Sequence, residues 1–438
     1  MTILVITYYY PPDRAVGGQR ARNVVETLRR AGHDVRVIAA GPSVNDACLR
    51  RVAPLPSIRG LYATLDRWLR ASRNKGLSGS SAPAGFSSRI RSTPFWKRWI
   101  FSLIWLPDDK QGFVGPVVRQ ALRLPGGRPD LIYTTAPPFS THLAGLMLRV
   151  LTGMPWVAEL RDPWTANPWK PAEMRSAFSD WLERKLEWLC LETADLLVAV
   201  SDGIADRIEE TGAGTPVTVV RNGIEDLRSA EAVTADIETE GPMEIVYAGS
   251  FYHTRDPFPF LDAVQQVVAD RSLGPGDLRV RFLGPTGTYD GRSIEAYVRT
   301  AGLDEHVRLE GWVEPERSLD CIRTADLLLL LALDQPDQVP NKLYEYLGAR
   351  RPILAVADED GESARMLKQV GGHHVVSAND AARIRQVLES LLDEPRPGPV
   401  GDPGVLENWT TTAQMAGLSR TLEALTEGRP VSRAYRSP

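Results

Sequence analysis

Short apolar, β-branched runs recur along the chain and alternate with longer segments whose apolar positions fall at helical spacing. The runs are ILVIT from Ile3, VRVIAA from Val35, DLIYTT from Asp130, WVAEL from Trp156 and DLLVAV from Asp195. Continuous apolar runs joined through helical patterns predict parallel strands with crossover helices. Between the first two runs, Gln19 to Ala31 sets Val24, Val25 and Leu28 at helical spacing, and Gly32 supplies the stop, which makes one βαβ unit.

The alternation breaks at VRNGI, Val220 to Ile224, where Asn222-Gly223 reads as a turn dipeptide and a polar, acidic stretch follows to Gly241. A second series then begins with EIVYAGS from Glu244, LRVRFLG from Leu278, VRLEG from Val307, DLLLLLAL from Asp326 and PILAVA from Pro352. The expectation is an α/β chain of two doubly wound halves, 1–224 and 225–404, with a last helix-like stretch, Leu406 to Leu425, inside 405–438. Residues 43–110 loosen into Pro, Ser and Gly and read as a mobile loop in the first half, above all SGSSAPAGFSS at Ser78 to Ser88.

A length of 438 residues supports two or three cores, and 43% apolar with 24% charged residues is ordinary for a globular chain. A formal charge of -4 gives no global reason to expect nucleic acid or an anionic membrane as the main partner. Three scattered cysteines, Cys48, Cys190 and Cys321, suggest neither a disulfide framework nor a zinc site, and a reducing cytoplasm fits. The opening MTILVITYYYPP lacks a basic region and a cleavage site and reads as a first buried strand rather than a signal peptide. No run reaches the roughly 18 apolar residues that a membrane-spanning helix needs.

Four segments carry candidate chemistry. PPDRAVGGQRARN follows the first strand, and Gly17-Gly18 before a helix start allows an anion close to backbone amides, although an ordinary strand-to-helix turn looks the same and the G-x-G-x-x-G spacing is missing. VAELRDPW ends a strand in Glu159, Arg161, Asp162 and Trp164, where open α/β sheets place their sites. Trp164 and Trp169 suit a sugar or hydrophobic acceptor, and the plainer alternative is an Arg161-Asp162 surface pair. In YAGSFYHTRDP, Gly249 and Ser250 can cradle a phosphate beside Arg255; His253 has no second His or Cys at metal spacing. In DQVPNKLYEYLGARRPILAV, Asp337 and Glu345 stand eight positions apart around Asn341 and Lys342. A carboxylate can accept two vicinal ribose hydroxyls and a lysine suits a phosphate; the alternative is a solvated Lys-Glu pair at i and i+3.

Taken together, in this order, these segments resemble the retaining glycosyltransferase family four of the GT-B fold, and more closely its bacterial branch acting in polysaccharide and natural-product assembly. The resemblance implies two Rossmann-like domains facing across a cleft, with the C-terminal helix crossing back to the first. It implies that Glu345 binds the donor ribose and that Asp337 fills the first place of the family's Glu, seven residues, Glu motif, with Asp in place of Glu. Near the loop after the first strand of the second half, Ser250 stands close to the family's Arg place, Arg255 remains, and Lys342 supplies the missing charge, with Asn341 among the donor-side residues. Gly17 and Gly18 match the glycine loop beside donor phosphates and acceptor. Arg161 and Asp162 match the strand end where relatives set a polar residue against the sugar, with Arg20 and Trp164 on the acceptor side.

The expected activity is transfer from a nucleotide-sugar, UDP-linked first, to a sugar, lipid-linked or natural-product acceptor, with retention and with neither a cofactor nor a required metal. Asp108-Asp109 and Asp358-Glu359-Asp360 read as solvated acidic loops. A sugar-nucleotide epimerase of the same fold would need a His among several carboxylates, and none of the six histidines lies in the strongest motifs. A catalytically weak nucleotide-sugar-binding protein is the third reading. Arg91 to Phe113 mixes Phe95, Trp96, Trp99 and Trp105 with Lys97 and Arg98, which reads as an acceptor-side loop with buried tryptophans or as an interfacial segment at the inner membrane face.

Overall fold

The computed structural model describes residues 1–12, 16–42, 48–56, 106–166, 176–225, 227, 241–252, 254–378, 380–396 and 398–429. The chain divides into two compact units: unit 1 is Met1–Val220 with Met415–Pro438, and unit 2 is Arg221–Gln414.

Unit 1 is a seven-stranded parallel sheet of β1 (Thr2–Ile6), β2 (Asp34–Ala40), β3 (Leu49–Val52), β4 (Leu131–Ala136), β5 (Trp156–Leu160), β6 (Leu196–Ala199) and β7 (Val217–Val219). Its order, β3-β2-β1-β4-β5-β6-β7, reverses direction between β1 and β4 and opens a crevice at their carboxyl ends. The helices are α1 (Val16–Arg30), α2 (Val114–Ala121), α3 (Ser140–Thr152), α4 (Ala177–Thr193) and α5 (Asp202–Glu210). β4 and β5 are buried at every position, so they show no alternation of apolar and solvent-facing polar residues, and their polar members Thr134, Thr135 and Glu159 are enclosed as well. Leu4, Ile6, Phe113, Leu148, Trp156 and Leu191 pack one face, and Ile3, Val5, Val24 and Leu28 the other. Start signals are local: Ser176 and Ser179 form a capping box on α4, and Ser201 Oγ accepts from Ile204 N at 3.2 Å on α5.

Unit 2 repeats the plan with β8 (Met243–Ala248), β9 (Leu278–Leu283), a small antiparallel ribbon of β10 (Thr288–Tyr289) and β11 (Arg292–Ser293), β12 (Val307–Gly311), β13 (Leu327–Ala332), β14 (Ile353–Ala357) and β15 (His374–Val376). The parallel order β12-β9-β8-β13-β14-β15 reverses between β8 and β13. Its helices are α6 (Phe258–Arg271), α7 (Ile294–Thr300), α8 (Pro315–Thr324), α9 (Asn341–Ala349), α10 (Glu362–Val370), α11 (Ala381–Asp393) and α12 (Pro403–Asn408). The last helix among the described residues is α13 (Thr411–Thr426); from Met415 onward it belongs to unit 1, where Met415, Leu418 and Leu422 join the core beside Val24 and Leu28.

Two expectations need correction. The segment read as one loop from 43 to 110 contains β3, paired parallel to β2 from Leu49 to Val52. An edge strand with the sequence LRRV buries only Val52, so it lacks the apolar run that marks interior strands. Asn222-Gly223 is not a turn: Ile224 bridges Thr410 in parallel, and a Cβ on Gly223 would lie 2.3 Å from Thr411 N. That glycine serves close backbone approach rather than a left-handed turn.

Candidate active site

In unit 2 the candidate residues gather at the carboxyl end of β8, beside the switch point with β13. Gly249 follows β8 with φ +156°, and a Cβ there would stand 3.1 Å from Tyr247 Oη and 3.4 Å from Arg255 Nη1. Gly284, at φ +110°, approaches Gly249 so closely that a Cβ would lie 2.3 Å from its carbonyl oxygen. Tyr247 Oη donates to Ser250 O at 3.0 Å, and the Arg255 guanidinium sits 4.5 Å from the Tyr252 ring centroid, with Nε buried and without a hydrogen-bond partner. The loop backbone thus meets a permanent cation at the strand end.

Helix α9 is fixed to this loop from below. Ala248 N donates to the buried Tyr346 Oη at 2.9 Å, which ties the last residue of β8 to the middle of α9. The loop after β13 is braced by Gln335 N to Asp358 Oδ2 at 2.9 Å and Glu362 N to Pro336 O at 2.9 Å. Asp337 lies in that loop, partly buried. Asn341 Oδ1 accepts from Asn222 Nδ2 at 2.7 Å, and Lys342 Nζ pairs with Glu345 Oε2 at 2.6 Å, with the two side chains 26% and 42% exposed. The first turn of α9 holds no acid, so its amides present partial positive charge at that end, while the Lys342 charge is shared with Glu345.

In unit 1 the strand-end charges are enclosed. Glu159 on β5 accepts from Arg20 Nη2 at 2.8 Å, Tyr133 Oη at 2.8 Å and Thr135 Oγ1 at 2.5 Å, while Arg20 Nη2 also donates to Val220 O at 2.7 Å. Burial pushes the Glu159 carboxyl upward, but the Arg20 charge and the hydrogen bonds from Thr135 and Arg20 outweigh it and hold its pKa below the usual value. Arg161 Nε donates to Ala136 O at 3.1 Å and Nη2 to Pro137 O, and its guanidinium lies against α1 where a Cβ on Gly17 would be only 2.7 Å away. Burial lowers the Arg161 pKa and raises that of Asp162, the neighbouring opposite charges opposing both shifts. Nearby, Asp108 Oδ2 accepts from Ser140 N at 2.8 Å at the start of α3.

Residues 17–223 match the family model for a glycosyl transferase 4-like domain. The chain has the GT-B fold. No curated protein matches its sequence. Among solved structures it is similar to sucrose-phosphate synthase from Thermosynechococcus elongatus, at 14% identity and TM-score 0.63, covering 98% of this chain and 100% of that one. HepE of Anabaena in complex with UDP is similar at 14% identity and TM-score 0.59, covering 97% and 100%. So is the α,α-trehalose-phosphate synthase (UDP-forming) from Burkholderia vietnamiensis, at 14% and 0.59, covering 99% and 98%. At such identities the likeness shows the fold.

Two residues do not sit where the sequence reading put them. Trp164 is only 2% exposed and stacks on Phe139 at 4.7 Å, so its ring is core rather than an acceptor platform. Arg20 is 4% exposed and committed to Glu159 and Val220, which makes it a buried structural cation rather than an acceptor-side group. Tyr346 and Asn222 were missed. The apolar environment of α9 hides the one polar atom of Tyr346, and Asn222 was absorbed into a turn signal. Trp169, His253 and the aromatic and basic residues Phe95 to Trp105 lie outside the described residues. The Asp358 carboxylate accepts the Gln335 amide, so that acidic loop has a structural task.

Proposed function

We propose that unit 2 holds a nucleoside-diphosphate sugar, UDP-linked first, and that the enzyme transfers its sugar with retention of anomeric configuration and without a required divalent metal. The observation that carries the reading is the Ala248–Tyr346 hydrogen bond of 2.9 Å, because it joins the Gly249-Ser250 loop to the helix bearing Asn341, Lys342 and Glu345. The loop amides and Arg255 suit the diphosphate, and Glu345, in exchange for its Lys342 partner, accepts the ribose hydroxyls. Two of the similar structures carry UDP or are described as UDP-forming, which makes UDP the first nucleotide to test.

In the reaction proposed, the bond between the anomeric carbon and the β-phosphate oxygen breaks and its electron pair stays on the leaving diphosphate. Arg255, Lys342 and the amides near Gly249 stabilise the charge that develops there. The acceptor hydroxyl attacks the same face through an oxocarbenium-like state, its oxygen bonds to the anomeric carbon, and its proton passes to the leaving phosphate. Asp337 supports the reacting sugar. In unit 1, the α1 start at Gly17-Gly18 with the Arg161 guanidinium against it forms a positive corner suited to sugar or acceptor, with Asp162 beside it. We place the enzyme in the cytoplasm; no helix among the described residues is long and apolar enough to cross a membrane. Product NMR from a UDP-sugar panel in the presence of chelator tests the chemistry. Retained configuration is expected; an inverted centre, or activity that returns only with magnesium or manganese, overturns it.

A further inference from the structure

We propose that α3 and α4 of unit 1 form a docking surface for an anionic phospholipid bilayer, a property separate from the transfer chemistry. Seven of the eleven large apolar side chains exposed among the described residues lie on these two helices: Met147, Val150 and Leu151 on α3, and Phe178, Trp181, Trp188 and Leu189 on α4. The helices pack side by side over a shared core that includes Leu148, Cys190 and Leu191. Val150 is 71% exposed and Trp181 49%, levels that a folded protein rarely leaves clustered in water without a use.

The charges are sorted to match. Helix α4 turns Glu183 and Glu187 inward, 3% and 7% exposed, and leaves Arg184 and Lys185 outward between the two tryptophans. Its acids outside the core stand at the two ends: Asp180, half-buried in the first turn, and Glu192, exposed at the last turn and accepting from Gly214 N at 2.7 Å. Helix α3 holds no acid at all, and its one cation, Arg149, is tied to Asp195 at 2.9 Å. Between those ends the outward surface is indole, aliphatic and cationic, on a chain whose net charge is -4. Such a patch inserts tryptophan rings at the headgroup level while lysine and arginine reach lipid phosphates, and the acidic remainder is repelled, which fixes one orientation. A cavity of about 600 Å³ opens beside Trp181 and Trp188, its wall carrying three cations, Arg184, Lys185 and Arg207, against two acids, Glu187 and Glu210.

The test is co-sedimentation of the full chain with extruded vesicles of phosphatidylglycerol and phosphatidylethanolamine, against vesicles of phosphatidylcholine. Binding is expected to the anionic vesicles and to weaken with salt. Trp181→Ser with Trp188→Ser should reduce it more than tenfold. Arg184→Gln with Lys185→Gln should reduce it about 25-fold at low salt, about fivefold for each charge, and flatten the salt dependence. Thermal melting of each variant verifies folding; since the substituted side chains are outward, parent-like melting is expected, and Trp188→Phe should retain most binding. The proposal is overturned if the parent does not bind, if folded variants bind like the parent, or if the tryptophans instead govern self-association seen by light scattering without vesicle binding.

Discussion

In unit 1, Glu159 at the end of β5 is fully enclosed, with Arg20, Tyr133 and Thr135 spending their polar atoms on it. In unit 2, Glu345 on α9 is 42% exposed and answers to one partly exposed lysine. Both acids lie close to sheet ends where α/β proteins gather ligands, yet their energetics differ. Enclosed charge with every partner built in is a structural group that resists change. Half-exposed charge with an exchangeable partner costs little to rearrange and can be handed to a ligand. Charge at a strand end therefore reads as a binding group only after its partners are counted.

The largest expected effect breaks the enclosed side of that comparison. Arg20→Met leaves the Glu159 carboxylate buried without its counter-charge and should cost about 3–5 kcal/mol in denaturant unfolding. A loss under 1 kcal/mol would show that Arg20 is free for an acceptor after all. Trp164→Ala should cost a similar ~3–5 kcal/mol, the ring being core. If stability holds while acceptor affinity falls, the ring is a binding surface.

Glu187 sharpens the contrast, since burial raises its pKa from 4.5 to about 7. A carboxyl with a raised folded pKa contributes stability below its unfolded value, and that contribution is lost as pH rises through the folded pKa. Glu187→Gln should therefore gain roughly 1–3 kcal/mol over the parent at pH 8 and flatten the stability profile between pH 4.5 and 7. An unaltered profile in chemical denaturation contradicts the assignment. Gly223→Ala should cost about 1–3 kcal/mol, because its Cβ meets the Thr411 backbone rather than a movable side chain. The smallest stability effect is Lys342→Ala, within about 0.5 kcal/mol for a partly exposed i,i+3 pair.

Interior strands were legible where burial on both faces leaves an unbroken apolar run, as in LLLLLAL, whose first six residues form β13 and are all buried. Edge strands such as β3 and β15 were not, since only the last residue of each is buried and the remainder includes Arg or His. Gly32 ends α1 as its position suggested, with φ +87°. The glycine and cation of YAGSFYHTRDP could be named from sequence, because a glycine at a strand end and an arginine a few residues on are local signals. Burial of Arg20 and Trp164 could not, because it depends on Glu159 and Phe139, at distances along the chain that no local pattern encodes. Tyr346 was hidden for the same reason: its hydrogen bond reaches back to Ala248.

Titration calorimetry of UDP against the parent, Glu345→Gln and Lys342→Ala measures the central claim directly, that the exposed charges of unit 2 hold the nucleotide. Loss of a charged hydrogen-bond partner should weaken binding about 10- to 100-fold in each variant while melting stays close to the parent's. Parent-like affinity for UDP in both folded variants would contradict the claim.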